Sequence, residues 1–440
     1  MLDLMSDPAT RRAPTVDPSG RTSVAPMPDD DTTPQDSPDT GSEGAGKTPP
    51  DDTGAPAILS RKELREQRDG ASRTKWYVLA GVAVVLVGTL LGVLLTRGAA
   101  ANKAATTTTS TTHAAAPLAT CPLTGTPSPG GVPARPALAV KIGNYTDDRP
   151  SAGLNQSDVV IEEPVEGSYT RLVAVFQCQG AALVGDLRSA REPDVAILSQ
   201  LSNPIFLHAG GIDPVLGLLA NAPIQDKNIL DGGFGSVTIH PSGRYAPYAT
   251  FTNTAPAWAL VPGDTSPPAP IFTFSSAPPA GSVPGSGIAV HIPFSSTSDV
   301  TWTWNAATST YLRSYAGIPD KLVDGSQTKS TNVVILTVPT FIGPWVENSE
   351  GAHEVEVTAL GTGPLVVLRN GVAITGTWSR SNLTGPTTLT AADGTPITLQ
   401  PGNTWEELAP QGVPVTTTAA PPPTPTTAAA GRATTTTTRP

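Results

Sequence analysis

The feature that most constrains this chain is an uncharged apolar segment of 21 residues, WYVLAGVAVVLVGTLLGVLLT, from Trp76 to Thr96. A helix of that length spans the roughly 30 Å of hydrocarbon in a bilayer. Six Lys and Arg residues precede the segment within residues 59–75, and fewer cations follow it closely. The positive-inside rule therefore predicts one transmembrane helix over 76–96, with the N-terminus in the cytoplasm and the main part of the chain outside.

The segments around this helix have compositions that do not favour a packed core. Residues 1–58 are rich in Asp, Pro, Thr, Ser and Gly, and residues 412–440 are rich in Thr, Pro and Ala. Both are predicted to be disordered, because they cannot bury enough apolar surface to offset the chain entropy. Residues 59–75 are predicted to be a basic juxtamembrane segment that meets anionic lipid headgroups, and Thr-rich residues 97–120 to be a stalk.

The exported part is predicted to be an α+β structure in two domains. Residues 121–265 are expected to form a mixed α/β domain that contains a β-α-β-α unit. Residues 287–411 alternate apolar and polar side chains in short runs between turn residues, which predicts a mostly β domain. Trp302 and Trp304 lie two residues apart on one predicted strand, where they could stack on sugar rings, although a core position is favoured.

Cys121 and Cys178 are the only cysteines, and both lie in the exported part. An even number of cysteines in an oxidising compartment predicts a disulfide. LATC, Leu118–Cys121, has the alternative interpretation of a lipid-acylation site on Cys121, but the apolar segment ends well before it.

Two polar motifs follow apolar runs within the predicted β-α-β-α unit. RSAR (Arg188–Arg191) follows a predicted strand, Ala182–Leu187, and HAGG (His208–Gly211) follows a second, Pro204–His208. If these strands pair in parallel with a right-handed crossover, both motifs lie at the carboxyl edge of one sheet. Open α/β sheets bind ligands at that edge.

A helix is predicted to start after each motif. Ser189 and Glu192 fit a capping box, with Pro193 in the first turn, and Asp213 is the predicted N-cap before Pro214. Helix N-termini and arginine side chains both stabilise anions, so the motifs predict two halves of one anion-binding pocket.

The candidate ligand-binding residues combine both motifs with the neighbouring EEPVE segment and strand. They are Glu162, Glu163, Glu166, Arg171, Arg188, Ser189, Arg191, His208, Gly210 and Gly211. The competing interpretation is that Arg188 and Arg191 form structural ion pairs with Glu162, Glu163 or Glu166.

Several long motifs resemble the YerB-like family, known as DUF3048, from about Cys121 to Pro410. These motifs are CPLTGTP, RPALAVKIGN, GLNQSDVVIEEPVEGSYTRLVAVFQ, GDLRSAR and GTWSRSNLTGPTTLTAADGTPITLQPGNTWEELAP. The resemblance implies a two-part extracytoplasmic protein, in a family whose members are often lipoproteins of undetermined function. Tyr248, Ala249 and Asp320 stand where the family pattern has His, Asn and His, so chemistry that depends on those histidines would be lost here.

The composition and the spacing of residues argue against some functions, and two candidate functions remain. The net charge of −10, without a basic stripe beyond the juxtamembrane segment, argues against nucleic-acid binding. Five scattered histidines and two distant cysteines lack metal-ligand spacing, and neither a metal nor a cofactor is predicted.

The favoured function is that of a membrane-anchored, extracytoplasmic cell-envelope protein that binds an anionic ligand or a protein partner. A cell-wall polymer and a peptidoglycan-related carboxylate are the ligands considered. The alternative is an envelope hydrolase or transferase that uses EEPVE carboxylates, with Arg188 and Arg191 holding an anionic substrate. Glu162 and Glu163 are a weak acid/base pair because they point to opposite faces of a strand. A serine mechanism through Ser189 and His208 lacks a nucleophile elbow.

Overall fold

The computed structural model describes residues 118–421. The predicted cytoplasmic segment, juxtamembrane segment and transmembrane helix lie outside the described residues, as do most of the stalk and the end of the tail. No helix within 118–421 is long and apolar enough to cross a membrane.

The described part of the chain is mostly β-structure with a few short helices. Its strands are β1 (Leu138–Ile142), β2 (Val159–Val165), β3 (Tyr169–Phe176), β4 (Val184–Gly185), β5 (Ile205–His208), β6 (Gln225–Asn228), β7 (Thr238–Ile239), β8 (Phe251–Thr252), β9 (Ala289–Pro293), β10 (Asp299–Asn305), β11 (Thr310–Tyr315), β12 (Ile318–Pro319), β13 (Lys329–Ser330), β14 (Asn332–Val338), β15 (Thr340–Val346), β16 (His353–Val357), β17 (Gly361–Arg369), β18 (Val372–Arg380), β19 (Thr388–Ala391), β20 (Thr404–Pro410) and β21 (Thr416–Thr418). Its α-helices are α1 (Pro193–Ser199), α2 (Asp213–Leu219) and α3 (Thr254–Trp258), and three short 3-10 turns cover Leu154–Gln156, Glu166–Ser168 and Ile229–Asp231.

A ten-stranded sheet runs through both predicted domains, in the order β19-β18-β17-β14-β20-β2-β3-β1-β5-β6. β5 is parallel to β1 and β6, β20 is parallel to β2 and β14, and β3 is antiparallel to both β1 and β2. The pairing of β2 with β20 joins the two sequence segments in one sheet.

Both faces of this sheet are buried, because each face is covered by another layer. Alternate residues of a strand point to opposite faces, so one face packs against α1 and α2 through side chains such as Ile197 and Leu219. The other face packs against a second sheet, β12-β11-β10-β9-β21, where Val300 and Trp302 are buried. Trp302 is fully buried and packs against Trp405, so it is a core residue.

The predicted β-α-β-α unit differs from the observed one in its first strand. Only Val184–Gly185 of the predicted strand Ala182–Leu187 is extended, and it pairs antiparallel with β8 in a small sheet. The parallel neighbours of β5 are instead β1 and β6, and β5-α2-β6 is the observed parallel unit. The sequence pattern of a strand shows which side chains are buried but does not identify its partner, and the prediction of β4 beside β5 was wrong for that reason.

The start of the tail is ordered, contrary to the disorder predicted from residue 412. Thr416–Thr418 forms β21, which pairs antiparallel with the edge strand β9. Its side chains are exposed, so backbone hydrogen bonds and the β-propensity of Thr, rather than apolar burial, stabilise the strand.

The predicted disulfide is confirmed. Cys121 and Cys178 are bonded, their Cα atoms are 6.0 Å apart, and neither cysteine is free. The bond joins Cys121, near the start of the described residues, to Cys178, two residues after the end of β3.

Candidate functional site

RSAR and HAGG meet at the carboxyl edge of the ten-stranded sheet, although the parallel strand pairing from which this was predicted is not formed. The Arg188 backbone N–H donates to the Lys141 carbonyl at the end of β1 (3.0 Å). The Arg188 carbonyl accepts from Ala209 (2.9 Å), and Ala190 donates to the Gly210 carbonyl (2.9 Å). RSAR therefore lies between the ends of β1 and β5 as a loop, although the strand before it lies in another sheet.

The HAGG side of this edge is held together by its own contacts. The buried His208 ring bonds Asp226 through Nε2 (2.7 Å) and the Gly210 carbonyl through Nδ1 (2.8 Å). Gly210 has a φ of 80°, which favours glycine, and its N–H donates to Asn228 (2.8 Å). Gly211 follows beside the Ala190 carbonyl. The ring of His208 is thus directed to β6, and its hydrogen bonds do not reach the arginine side chains predicted to converge with it.

Both helix starts differ from the capped starts that the sequence predicted. α1 and α2 each have seven residues, and neither has a side-chain cap, so the capping box of Ser189 and Glu192 is not formed. α2 begins at Asp213 itself, with Ile212 as its N-cap. At α1, the Asp194 carboxylate accepts from the Arg191 N–H (2.7 Å) and supplies the negative charge at this helix start.

Glu166 binds two of the candidate arginines in the interior. Arg191 donates to it through Nε (2.8 Å) and Nη2, and Arg171 through Nη2 (3.3 Å). Arg191 also pairs with Glu347 (3.2 Å), and Arg171 donates to the Ser189 carbonyl (2.9 Å). Burial acts to raise the pKa of Glu166, but Arg191 and Arg171 outweigh it and hold that pKa at about 2. Arg191 is therefore a structural ion-pair partner of Glu166, as the competing interpretation proposed.

Glu162 and Glu163 lie on opposite faces of β2, and both are fully buried. Glu163 binds Lys141, which also binds Asp194 (2.7 Å). Burial raises the pKa of Glu163 to about 7, against the opposing effect of Lys141.

The contacts of Glu162 extend to the second sheet. It pairs with Arg313, and it accepts hydrogen bonds from Thr170 (2.7 Å) and Asn144 (3.2 Å). Arg313 also binds Asp320 (3.0 Å), the residue at one position where the sequence departs from the family pattern. These contacts give Glu162 a structural role between the two sheets.

Arg188 differs from the other two arginines because it is partly exposed, at 14% of its side chain. Its Nη1 donates to Asp148 (2.9 Å), and this is its one side-chain hydrogen bond within residues 118–421. Its guanidinium carbon lies 5.4 Å from the ring centre of Tyr145 and 5.1 Å from that of Tyr248. The remaining N–H donors of Arg188 are therefore available between two aromatic rings.

Neighbouring cations and rings extend this surface. The guanidinium of Arg149 stacks on the ring of Tyr315 at 4.0 Å, and Arg244 donates to backbone carbonyls of the loop after β1, including that of Asp148 (3.0 Å). Neither Arg149 nor Arg244 has a carboxylate partner within the described residues. We call this surface the arginine–tyrosine face, and its members are Tyr145, Arg149, Arg188, Arg244, Tyr248 and Tyr315.

A cavity of about 470 Å³ adjoins the face. Tyr169 connects the two, since its ring lies 4.2 Å from that of Tyr145. Glu166, Phe294, Ile342 and His353 are among the lining residues. Burial raises the pKa of Tyr145, so its hydroxyl stays protonated and donates to Glu166 (3.2 Å).

Sequence reasoning identified Arg188 but missed the other five members of the arginine–tyrosine face. Tyr145 and Arg149 lie in the loop that follows β1, so the rule that ligands bind after parallel strands could have found them. Tyr248 was recognised only as a departure from the family pattern, and its neighbour Ala249 accepts a hydrogen bond from His240 (3.2 Å). Arg244 and Tyr315 carry no local signal. Among residues 118–421, no three His, Cys, Asp or Glu side chains are grouped as metal ligands.

Two family models match the parts of the chain that form the fold described above. The model for the N-terminal domain of the protein of unknown function DUF3048 matches residues 123–265, and the model for its C-terminal domain matches residues 290–405. The chain therefore belongs to the DUF3048 family.

One curated relative and one solved structure agree with this assignment. The chain is 44% identical over 89 residues to the "Putative lipoprotein YerB" of Bacillus subtilis (strain 168), an alignment that spans 20% of this chain and 27% of the relative's length. The crystal structure of YerB protein from Bacillus subtilis has a TM-score of 0.57 at 23% identity and covers 66% of this chain and 96% of that one. The likeness to the crystal structure shows a shared fold.

Proposed function

We propose that this protein is a membrane-anchored, extracytoplasmic binding protein whose arginine–tyrosine face holds an anionic polymer of the cell envelope. The observation that carries the proposal is Arg188, which is partly exposed, donates one N–H to Asp148 and lies close to two tyrosine rings. A guanidinium with free donors binds phosphate or carboxylate, and aromatic rings beside it contact the apolar parts of a sugar or polyol.

Three features support the extracytoplasmic, anchored location. The Lys and Arg residues that directly flank the apolar segment 76–96 lie mainly before it, the two cysteines form a disulfide, and the matched Bacillus relative bears the name of a lipoprotein. Disulfides persist in oxidising compartments, which agrees with an exported domain.

The face lies far from the point where the chain enters the described structure. The chain enters the described structure beside Cys121, which is bonded to Cys178 just after the end of β3. The face lies at the other end of β3, beside Tyr169, and the eight residues of this strand span about 26 Å. The disulfide and the face are therefore at opposite edges of the sheet.

The hydrolase or transferase alternative has less support. It requires an accessible carboxylate that can take up or release a proton. Glu162 and Glu163 are fully buried and ion-paired, and Glu166, with a pKa of about 2, holds no proton to donate at neutral pH.

The test is the retention of the full-length protein, in detergent, on purified cell-wall sacculi. Sacculi that keep their anionic polymers are compared with sacculi from which these polymers have been extracted. We expect retention on the first and about tenfold less with Arg188→Ala, because a hydrogen bond to a charged group contributes about 1.5–3 kcal/mol. Lys321→Ala is the matched control, since it removes an exposed cation that is not a member of the face.

Two results would contradict the proposal. One is equal retention on both kinds of sacculi, which would point to peptidoglycan itself or to a protein. The other is a folded Arg188→Ala variant that is retained as well as the wild type.

A further inference from the structure

Two buried aspartates lie directly behind Arg188. Asp148 is 1% exposed and Asp186 is fully buried. Asp148 accepts from Arg188 Nη1 (2.9 Å) and from the Tyr145 backbone N–H (2.7 Å). Neither carboxylate oxygen of Asp186 has a hydrogen-bond donor within the described residues.

A proton between the two carboxyl groups resolves this arrangement. Two adjacent buried carboxylates repel each other, and only one guanidinium balances them. Burial and the charge of Asp148 together raise the pKa of Asp186 to about 8. At neutral pH the pair then carries one negative charge, and Arg188 balances it.

The other charged or titratable groups around the pair come from two loops. Tyr145 lies in the loop after β1, and Arg244 and Tyr248 lie in the loop before β8. Arg244 donates to the backbone carbonyl of Asp148 (3.0 Å), and Tyr248 contacts Arg188 rather than either aspartate. Arg188 is therefore the one cation that pairs with a carboxylate of the couple.

We propose that Asp148 and Asp186 are positioning residues that share one proton and thereby keep Arg188 available to an anionic ligand. Loss of the proton adds a second negative charge beside the guanidinium, which then offers less attraction to a ligand anion. This inference rests on the proposed function of the arginine–tyrosine face. It makes ligand binding at that face sensitive to alkaline pH.

The first measurement concerns the proton itself and needs no ligand. Carbon-13 NMR of the aspartate carboxyl groups, in the full-length protein in detergent, should show one resonance that titrates near pH 8. This resonance should be absent from Asp186→Asn, and it should persist in Asp147→Asn, which alters an exposed aspartate of the same loop. If no aspartate carboxyl titrates above its ordinary range, the shared proton is refuted.

The second measurement is the pH dependence of binding, with soluble poly(glycerol phosphate) as the probe. We expect wild-type affinity to fall about fivefold to tenfold between pH 7 and pH 9.5, since a nearby unit charge has an effect of this order. Asp186→Asn should bind equally at both pH values, whereas Asp147→Asn should keep the wild-type fall.

The outcomes separate this inference from the proposed function. A titrating Asp186 with probe binding that does not depend on pH would refute the positioning role and leave the face intact. Equal binding of wild type and folded Arg188→Ala would refute the face, and the NMR result would still report on the shared proton.

Discussion

At the scale of single residues, Glu166 is the carboxylate of the candidate site that binds two arginines. Its carboxylate is buried and accepts from both Arg191 and Arg171. Removing one partner of a buried ion pair is costly, because the remaining charges stay buried without compensation.

We therefore expect Glu166→Gln to lower the free energy of unfolding by about 3–5 kcal/mol. Denaturant unfolding of the full-length protein measures this change, and Glu350→Gln, an exposed carboxylate on the loop between β15 and β16, is the control. A loss no larger than that of the control would show that the ion pairs contribute little.

The same variant makes a prediction about acid stability. The folded-state pKa of Glu166, about 2, is below its ordinary value of 4.5. Its contribution is present above pH 4.5 and is lost as the pH falls towards 2. Glu166→Gln should therefore reduce the acid sensitivity of the wild-type melting temperature over that window, and an unchanged slope would contradict the assignment.

At the scale of elements, β21 shows that the first residues of a low-complexity tail can form an ordered strand. Its three threonines pair with β9 at the edge of the second sheet. Because its side chains are exposed, the strand contributes mainly backbone hydrogen bonds, each worth about 0.5–1.5 kcal/mol.

Truncation after Val415 should therefore lower the melting temperature by a few degrees. Truncation after Pro421, which keeps β21, should leave it unchanged. Calorimetry compares the two, and equal melting temperatures would show that β21 adds nothing to the fold.

At the scale of the whole molecule, the disulfide and the arginine–tyrosine face lie at opposite edges of one sheet. The bond closes a loop between residues 57 positions apart and reduces the entropy of the unfolded chain. In the chain-entropy model this is worth about 4 kcal/mol.

Cys178→Ser should thus lower the free energy of unfolding by up to about 4 kcal/mol, and reduction of the wild type should reproduce the loss. Retention on sacculi at a temperature where the variant is folded should not change, because the bond is remote from the face. Loss of retention by the folded variant would mean that the two edges are coupled.

The features that depend on a local sequence pattern could be predicted from the sequence alone. The alternation in β2 placed Glu162 and Glu163 on opposite faces. The only two cysteines in an exported segment predicted their bond. These inferences held because the period of a strand and the number of cysteines do not depend on distant parts of the chain.

Only the tertiary structure shows which strands pair and which side chains contact each other. It placed β1 and β6, rather than β4, beside β5. It also paired Arg191 with Glu166 and Arg188 with Asp148. It also brought the rings of Tyr145 and Tyr248, far apart in sequence, to within 5.4 Å and 5.1 Å of one guanidinium carbon. Hydrogen-bond and charge partners are chosen by distance in space, and a one-dimensional pattern of apolar and polar residues does not contain that distance.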